Sequence, residues 1–223
     1  SMCNSYEHTI VITNRHLVQG DFLKQLEKVT KLHPHALILR EKDLTDDAYE
    51  SLAKKVFDLC KREDITFFLH TKIEIARKIG CQNIHLSIPV LKGLSDTEKK
   101  ALTEDFCEIS ISCHSMEDVE IAMAGGATQI ILGTIFETEC KKGVLGKGVE
   151  FVREICQKCP RRTGWLHFNK AAEGIYRRDD PAPYRGKPRP GCLHRGGRDL
   201  RQNARLCHRP RLAQNERSHQ PGR

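Results

Sequence analysis

Three stretches of this chain place reactive or charged side chains directly after short apolar runs. Residues Ser112 to Ser115 include a histidine, Arg40 and Lys42 are separated by one residue, and Ile135 to Gly148 form a polar, lysine-bearing loop. An imidazole can take and return a proton near neutral pH, and guanidinium and ammonium groups bind phosphate or carboxylate. These residue types would suit proton transfer on an anionic substrate.

The same residues admit simpler interpretations. His114 could cap or pack at the start of a helix. Arg40 and Lys42 share one face of a strand by two-residue periodicity, but charges at a strand end can also be merely solvated. A nucleophile and base pair of Cys113 and His114 is disfavoured, because adjacent residues on a strand point to opposite faces.

Strand-like and helix-like patterns alternate before Pro160. We predict six βα units, which are His8–Thr13 with Asp21–Leu32, Ala36–Arg40 with Thr45–Lys61, Ile65–His70 with Ile73–Ile79, Asn83–Leu86 with Asp96–Phe106, Glu108–Cys113 with Met116–Ala124, and Gln129–Gly133 with Gly148–Gln157. Near-continuous apolar strands alternating with amphipathic helices favour an α/β fold with a parallel sheet covered by helices. A closed barrel would need two further units of about 25 residues each.

Composition changes abruptly near Pro160. Residues 161–223 contain 16 Lys or Arg against 5 Asp or Glu, and 14 of those cations are Arg. Ile, Leu and Val fall from 41 residues in 1–160 to 6 in 161–223. A segment so poor in apolar residues cannot offset its ordering entropy by burial. We therefore predict an α/β domain over residues 1–160 and an Arg-rich tail over residues 161–223 outside the core.

Two hypotheses address this tail. The reading frame could shift near Pro160, so that unrelated sequence replaces the last two βα units. The alternative is a natural, disordered basic tail. Its arginines, with Trp165 and nearby tyrosines, could bind RNA or another polyanion through charge and stacking, and we expect such nucleic-acid binding to be non-specific.

The sequence also favours some surroundings and partners over others. No apolar run approaches the roughly 20 residues of a membrane span, and no secretory signal is evident, so we expect a soluble, cytoplasmic protein without a membrane partner. His70 and His85 lie near strand ends, but no carboxylate or thiol accompanies them at ligand spacing, which favours burial or hydrogen bonding over a metal site. The sequence is also compatible with a homo-oligomer.

The motifs around these residues resemble the thiamine phosphate synthase/TenI family. Arg40-x-Lys42 after strand two, Ser112-Cys113-His114-Ser115 after strand five and GTIFETECKKG (Gly133 to Gly143) after strand six carry the resemblance, which runs from about His8 to Pro160. The third motif is the most specific and is closer to the TenI branch, the thiazole tautomerases. The resemblance implies a (β/α)8 TIM barrel that holds a thiazole phosphate at the carboxyl ends of its strands.

Departures from the synthase pattern favour the tautomerase branch. Ile38 stands where synthases have Gln, and His70-Thr71 stands where they have Asn-Asp. The stretch His85 to Val90 lacks the acidic ligand that synthases carry after strand four. Synthases join an aminopyrimidine pyrophosphate to the thiazole phosphate with magnesium, which prefers carboxylate oxygens. We therefore expect no cofactor, and magnesium only if the synthase alternative is right.

The resemblance implies an isomerase that moves a proton from the ring C2 to the exocyclic carbon of a carboxythiazole phosphate. His114 is the expected catalytic residue, and the expected substrate-binding residues are Arg40, Lys42, His70, Ser112, Thr138 and Lys141. In this family, glycine-bearing loops after strands seven and eight hold the phosphate, and we expect the tail to supply neither strand. A non-catalytic thiazole- or phosphate-binding barrel, or an impaired enzyme, is the remaining alternative.

Overall fold

Parallel strands alternate with helices along the chain, in a computed structural model that describes residues 6, 8–137, 143, 145–158 and 166–168. The described strands are β1 (Ile10–Ile12), β2 (Ala36–Leu39), β3 (Thr66–His70), β4 (Asn83–Ser87), β5 (Glu108–Cys113), β6 (Gln129–Leu132) and β7 (Leu166–Phe168). The described helices are α1 (Phe22–Thr30), α2 (Asp46–Arg62), α3 (Ile73–Ile79), α4 (Ile88–Gly93), α5 (Asp96–Asp105), α6 (Met116–Ala124) and α7 (Gly148–Lys158), and Arg15–Leu17 forms a 3-10 turn. None of these helices is long and apolar enough to cross a membrane.

The strands form one sheet in the order β1 to β7, and each neighbouring pair is parallel. The six predicted βα units are confirmed, with boundaries that move by at most two residues. The short helix α4 was not predicted, because six residues with Pro89 in the first turn show no helical periodicity. The sheet is the parallel, helix-covered arrangement of a TIM-type α/β barrel.

The expectation that residues 161–223 supply neither of the last two strands is wrong at one point. Leu166–Phe168 forms β7, in which Leu166 lies beside Ile130 and Phe168 beside Leu132. Outside these three residues, the predicted tail and its proposed change of reading frame lie beyond the described residues.

Alternation along the strands sends side chains to two faces. Leu37, Leu39, Phe67 and Leu69 belong to the large buried core beneath the helices. The opposite, inner face carries a small apolar cluster of Ala36, Ile38, Phe68 and Ile131, against which Ile10 packs. Further along the same face, towards the carboxyl ends of the strands, the residues become polar, and this end of the sheet forms the candidate site.

Local sequence sets the helix ends that return the chain to the sheet. Thr45 is the N-cap of α2, and its Oγ1 accepts a hydrogen bond from the backbone N–H of Ala48 at 3.3 Å. Ser95 and Glu98 form a reciprocal capping box at the start of α5, and a left-handed Gly80 ends α3. Gly125 is the C-cap of α6. Such caps satisfy backbone groups that a helix end leaves without partners.

Candidate functional site

A buried histidine links two strands on the inner face of the sheet. His85 of β4 is 3% exposed, its Nδ1 lies 2.8 Å from Ser110 Oγ, and its Nε2 lies 2.8 Å from Ser112 Oγ. Both serines belong to β5. Hydrogen bonds at both ring nitrogens satisfy a neutral imidazole completely, so His85 holds the Ser112 hydroxyl at a fixed position on the mouth side of the sheet.

Burial is the main cause that lowers the pKa of His85 to about 3, and electrostatic interactions with His70 and Arg40 contribute to that shift. His85 is therefore neutral at physiological pH. The expectation of burial or hydrogen bonding at His85 is confirmed by these contacts.

His70 stacks on His85 at the end of β3, with ring centroids 5.7 Å apart. Burial is the main cause that lowers the pKa of His70, to about 4, and the charges of Arg40 and Lys42 add to it. The two histidines thus form a neutral, polar wall in a region of positive potential.

A buried tyrosine fixes the spacing of β2 and β3 beneath this wall. The Tyr49 hydroxyl donates to the carbonyl oxygen of Leu39 at 2.6 Å and accepts from the backbone N–H of His70 at 3.2 Å. Burial raises the pKa of Tyr49, so the phenol stays protonated and both hydrogen bonds persist.

A cavity of about 220 Å³ opens at the ends of β2, β3 and β4. Charged and polar side chains dominate its lining, which includes Lys42, Tyr49, His70, Thr71, Lys72 and Ser87. A larger groove of about 540 Å³ lies between α1 and α2. Solvated charges line that groove, and it lies away from the strand ends. The smaller cavity is therefore the better candidate site.

The carboxylate at the edge of the cavity already has partners. Glu41 is 3% exposed, and its two oxygens accept from the backbone N–H of Arg15 at 3.0 and 3.2 Å and from the Arg15 guanidinium at 3.1 Å. The same guanidinium also binds Asp43. Glu41 is therefore a structural anion that the Arg15 charge neutralises.

His114 lies after β5 and is exposed, unlike His85. Its Nδ1 lies 2.8 Å from the carbonyl oxygen of Gly133, so this nitrogen must carry the proton and donate. Its backbone N–H donates to Asp118 Oδ2 at 2.7 Å, and the Asp118 N–H donates to Ser115 Oγ at 3.0 Å. Within the described part of the chain, Nε2 has no hydrogen-bond partner and remains available as a proton acceptor.

The structure brings the predicted residues together in two groups. Lys42 and His70 line the cavity, and Arg40 directly follows β2 at the same end of the sheet, whereas Ser112 and His114 lie on β5 and just beyond it. Thr138 and Lys141 lie outside the described residues. Cys113 is fully buried in the core beneath the helices, which agrees with the prediction that it does not pair with His114.

Sequence reasoning missed Tyr49 and Lys72. Tyr49 occurs in an ordinary amphipathic helix, and nothing local reveals that its hydroxyl reaches two strands. Lys72 does have a local signal, because it lies in the short loop between β3 and α3. Barrel loops present binding groups at this position.

Comparisons with known proteins agree with this architecture. The family model for thiamine monophosphate synthase matches residues 9–165. The chain belongs to this family. A solved structure of thiamine phosphate pyrophosphorylase from Pyrococcus furiosus superposes with a TM-score of 0.58 at 20% identity, covering 70% of this chain and 73% of that one. The TIM-type barrel fold is therefore shown.

Curated relatives carry names from thiamine biosynthesis. A putative thiamine-phosphate synthase 2 of Aquifex aeolicus is 29% identical over 66% of this chain and 77% of its own length, and a thiamine-phosphate synthase of Clostridium tetani is 25% identical over 65% and 68%. A probable thiamine biosynthetic bifunctional enzyme of Schizosaccharomyces pombe is 30% identical over 46% of this chain, which spans only 19% of that protein. These names favour the synthase over the tautomerase.

Magnesium, which the synthase alternative requires, does not fit the side chains at this site. Thr71 and Ser87 offer neutral hydroxyls where magnesium would need carboxylate oxygens. Glu41 is the carboxylate in the cavity lining, and Arg15 already holds both of its oxygens. No cluster of three or more His, Cys, Asp or Glu side chains suited to a metal occurs among the described residues.

Proposed function

We propose that this chain isomerises a carboxythiazole phosphate to its aromatic form, with His114 as the proton carrier. The observation that carries the proposal is the hydrogen bond from His114 Nδ1 to the Gly133 carbonyl oxygen. That bond assigns the proton to Nδ1 and leaves Nε2 as the base. Gly133 also begins the loop that most resembles the tautomerase branch.

The reaction needs one group that accepts a proton and returns it. His114 Nε2 takes the proton from the ring C2, and electrons shift through the ring. The exposed imidazolium exchanges its N–H with solvent and then donates a proton to the exocyclic carbon. The product has the same atoms as the substrate and gains an aromatic thiazole. A single imidazole can serve as base and then as acid, because neither of its forms is costly near neutral pH.

The other histidines on the inner face are poorly suited to this role. Serine hydroxyls occupy both ring nitrogens of His85, and burial holds the pKa of His85 near 3. His70 is half-buried, with its pKa lowered to about 4, so it is a weak base. We infer that these two rings and the Ser112 hydroxyl shape and line the site while His114 moves the proton.

Substrate binding follows from the surrounding charges. Arg40 and Lys42 are proposed to hold an anionic group of the substrate, and Thr138 and Lys141 remain predicted ligands from the strand-six loop. The partner is thus a small thiazole phosphate. In this proposal no metal or cofactor takes part in the proton transfer.

The second candidate is thiamine phosphate synthase activity, which the names of the relatives favour. That reaction expels diphosphate, and its developing charge normally needs a metal ion or cationic clamp. The hydroxyls at Thr71 and Ser87 make the synthase the weaker proposal for this chain.

The test offers the purified full-length chain both reactions. In D₂O, the carboxythiazole phosphate should become aromatic and take up deuterium at the exocyclic carbon, detected by ultraviolet absorbance and proton NMR. The aminopyrimidine pyrophosphate with thiazole phosphate and Mg²⁺ should yield no thiamine phosphate. Synthase turnover without isomerisation would reverse the assignment, and binding of the thiazole without either reaction would identify a non-catalytic barrel.

A further inference from the structure

The cavity at the ends of β2, β3 and β4 contains a lysine to which no role has been given. Lys72 lines it together with Lys42. We propose that this cavity is a metal-independent site for one small oxyanion, a carboxylate or a phosphate monoester, with Lys72 as the cation where a divalent metal ion does not fit.

Lys72 can turn towards an anion at little cost. Its Nζ lies 2.6 Å from Asp46 Oδ1 and 5.9 Å from the centroid of the Tyr49 ring. The Lys72 side chain is 29% exposed, but the Asp46 side chain is 75% exposed. Water screens such a pair strongly, so a ligand oxyanion in the cavity can compete with Asp46 for the ammonium group.

The charge balance of the lining suits an anion with one or two negative charges. Glu41 is paired with Arg15, and Lys72 is paired with Asp46. Lys42 has no carboxylate partner among the described residues. A diphosphate would carry more negative charge than this set can compensate without a metal ion, whereas a carboxylate or a phosphate monoester matches it.

Neutral donors complete the site. The hydroxyls of Thr71 and Ser87 line the cavity and can donate to oxyanion oxygens. The neutral His70 ring at its wall adds a potential N–H donor without adding charge. A volume of about 220 Å³ has room for one oxyanion with part of the molecule that carries it.

This inference stands on the cavity alone. Only the further step, that the bound group is the carboxylate of the isomerised thiazole, rests on the proposed function. If the full chain binds the anion but does not isomerise the thiazole, the proposed function is wrong and the anion site stands. If the full chain isomerises the thiazole but its anion binding does not depend on Lys72, the anion site is wrong and the proposed function stands.

The experiment titrates the full chain by isothermal calorimetry with thiazole-2-carboxylate, with methyl phosphate and with inorganic diphosphate, each in EDTA and in Mg²⁺. We expect thiazole-2-carboxylate, methyl phosphate or both to bind in EDTA, with unchanged affinity in Mg²⁺. The probe that binds identifies whether the group is a carboxylate or a phosphate.

Lys72→Met should weaken that binding by about tenfold, as expected for loss of one charge-assisted hydrogen bond. Lys78→Met is the matched control, because Lys78 follows the same strand, also pairs with a carboxylate of α2, Glu50, and does not line the cavity. Three results would each overturn the proposal. These are binding of diphosphate only with Mg²⁺, no binding of thiazole-2-carboxylate or methyl phosphate in EDTA, and equal effects of the two substitutions.

Discussion

At the scale of single residues, the site depends on imidazoles that lie in different surroundings. Burial and nearby positive charge keep His70 and His85 neutral. His114 is exposed, and its hydrogen bond to Gly133 selects one tautomer. His70 and His85 therefore line the site, whereas the exposed His114 ring can exchange a proton.

The neutral histidines predict a loss of stability in acid. In the unfolded chain His70 and His85 would titrate near the ordinary value of about 6.5, so below that pH the unfolded state binds protons that the folded state excludes. The free energy of unfolding should fall from about pH 6.5 downwards, until the folded pKa values near 4 and 3 are passed. Each ring contributes a slope of at most about 1.4 kcal/mol per pH unit.

Urea unfolding between about pH 7 and pH 4 measures this slope. His85→Gln should flatten it, because the substitution removes the buried ring that resists protonation. An equal slope in the parent and in His85→Gln would show that the buried ring does not resist protonation.

At the scale of elements, one arginine joins the loops that follow β1 and β2. Arg15 donates to Glu41 through its backbone N–H and its guanidinium Nη1, and it donates to Asp43 through Nη1 and Nη2. Glu41 is buried and Asp43 is half exposed. The junction brings two loops together beside the mouth of the cavity.

Substitutions at the two carboxylates should therefore differ. Glu41→Gln turns one oxygen into a donor that faces the Arg15 N–H groups inside the protein, and it should lower the free energy of unfolding by about 2 kcal/mol. Asp43→Asn should have a clearly smaller effect, because water already screens that pair. Chemical denaturation of both variants checks this order, and a larger effect at Asp43 would contradict it.

The elements themselves were predictable from sequence, and most of their contacts were not. Apolar runs and helical periodicity located six βα units, because each pattern reports which face of a single element is buried. The partners of Arg15 and of the Tyr49 hydroxyl lie on other elements, so no local pattern reveals them. His114 was located by its motif, but its Gly133 partner emerged only when β5 and β6 were placed side by side.

At the scale of the whole molecule, the family match and the composition change fall close together. The match extends over residues 9–165, and the apolar content falls near Pro160. The strand β7 was missed because three residues, Leu166–Phe168, are too few to form a pattern within an Arg-rich segment. The described sheet thus contains seven of the eight strands that a complete barrel requires.

The reading-frame hypothesis gives a prediction for this part of the molecule. Translation of the nucleotides beyond the Pro160 codon in the other two frames should reveal apolar strands with glycine-bearing loops, since those loops would supply phosphate-binding amides. If neither frame contains them, the basic tail is the natural sequence and the hypothesis is wrong.

The proposed isomerisation depends on proton transfer through His114 Nε2. The most direct measurement compares the parent chain with His114→Ala, and with His35→Ala as a control at the opposite end of the sheet, for turnover and for binding of the carboxythiazole phosphate. We predict that His114→Ala lowers the rate of deuterium uptake at the exocyclic carbon by about 10²- to 10⁴-fold while the dissociation constant stays nearly the same. Deuterium uptake that continues unchanged in His114→Ala would contradict the account.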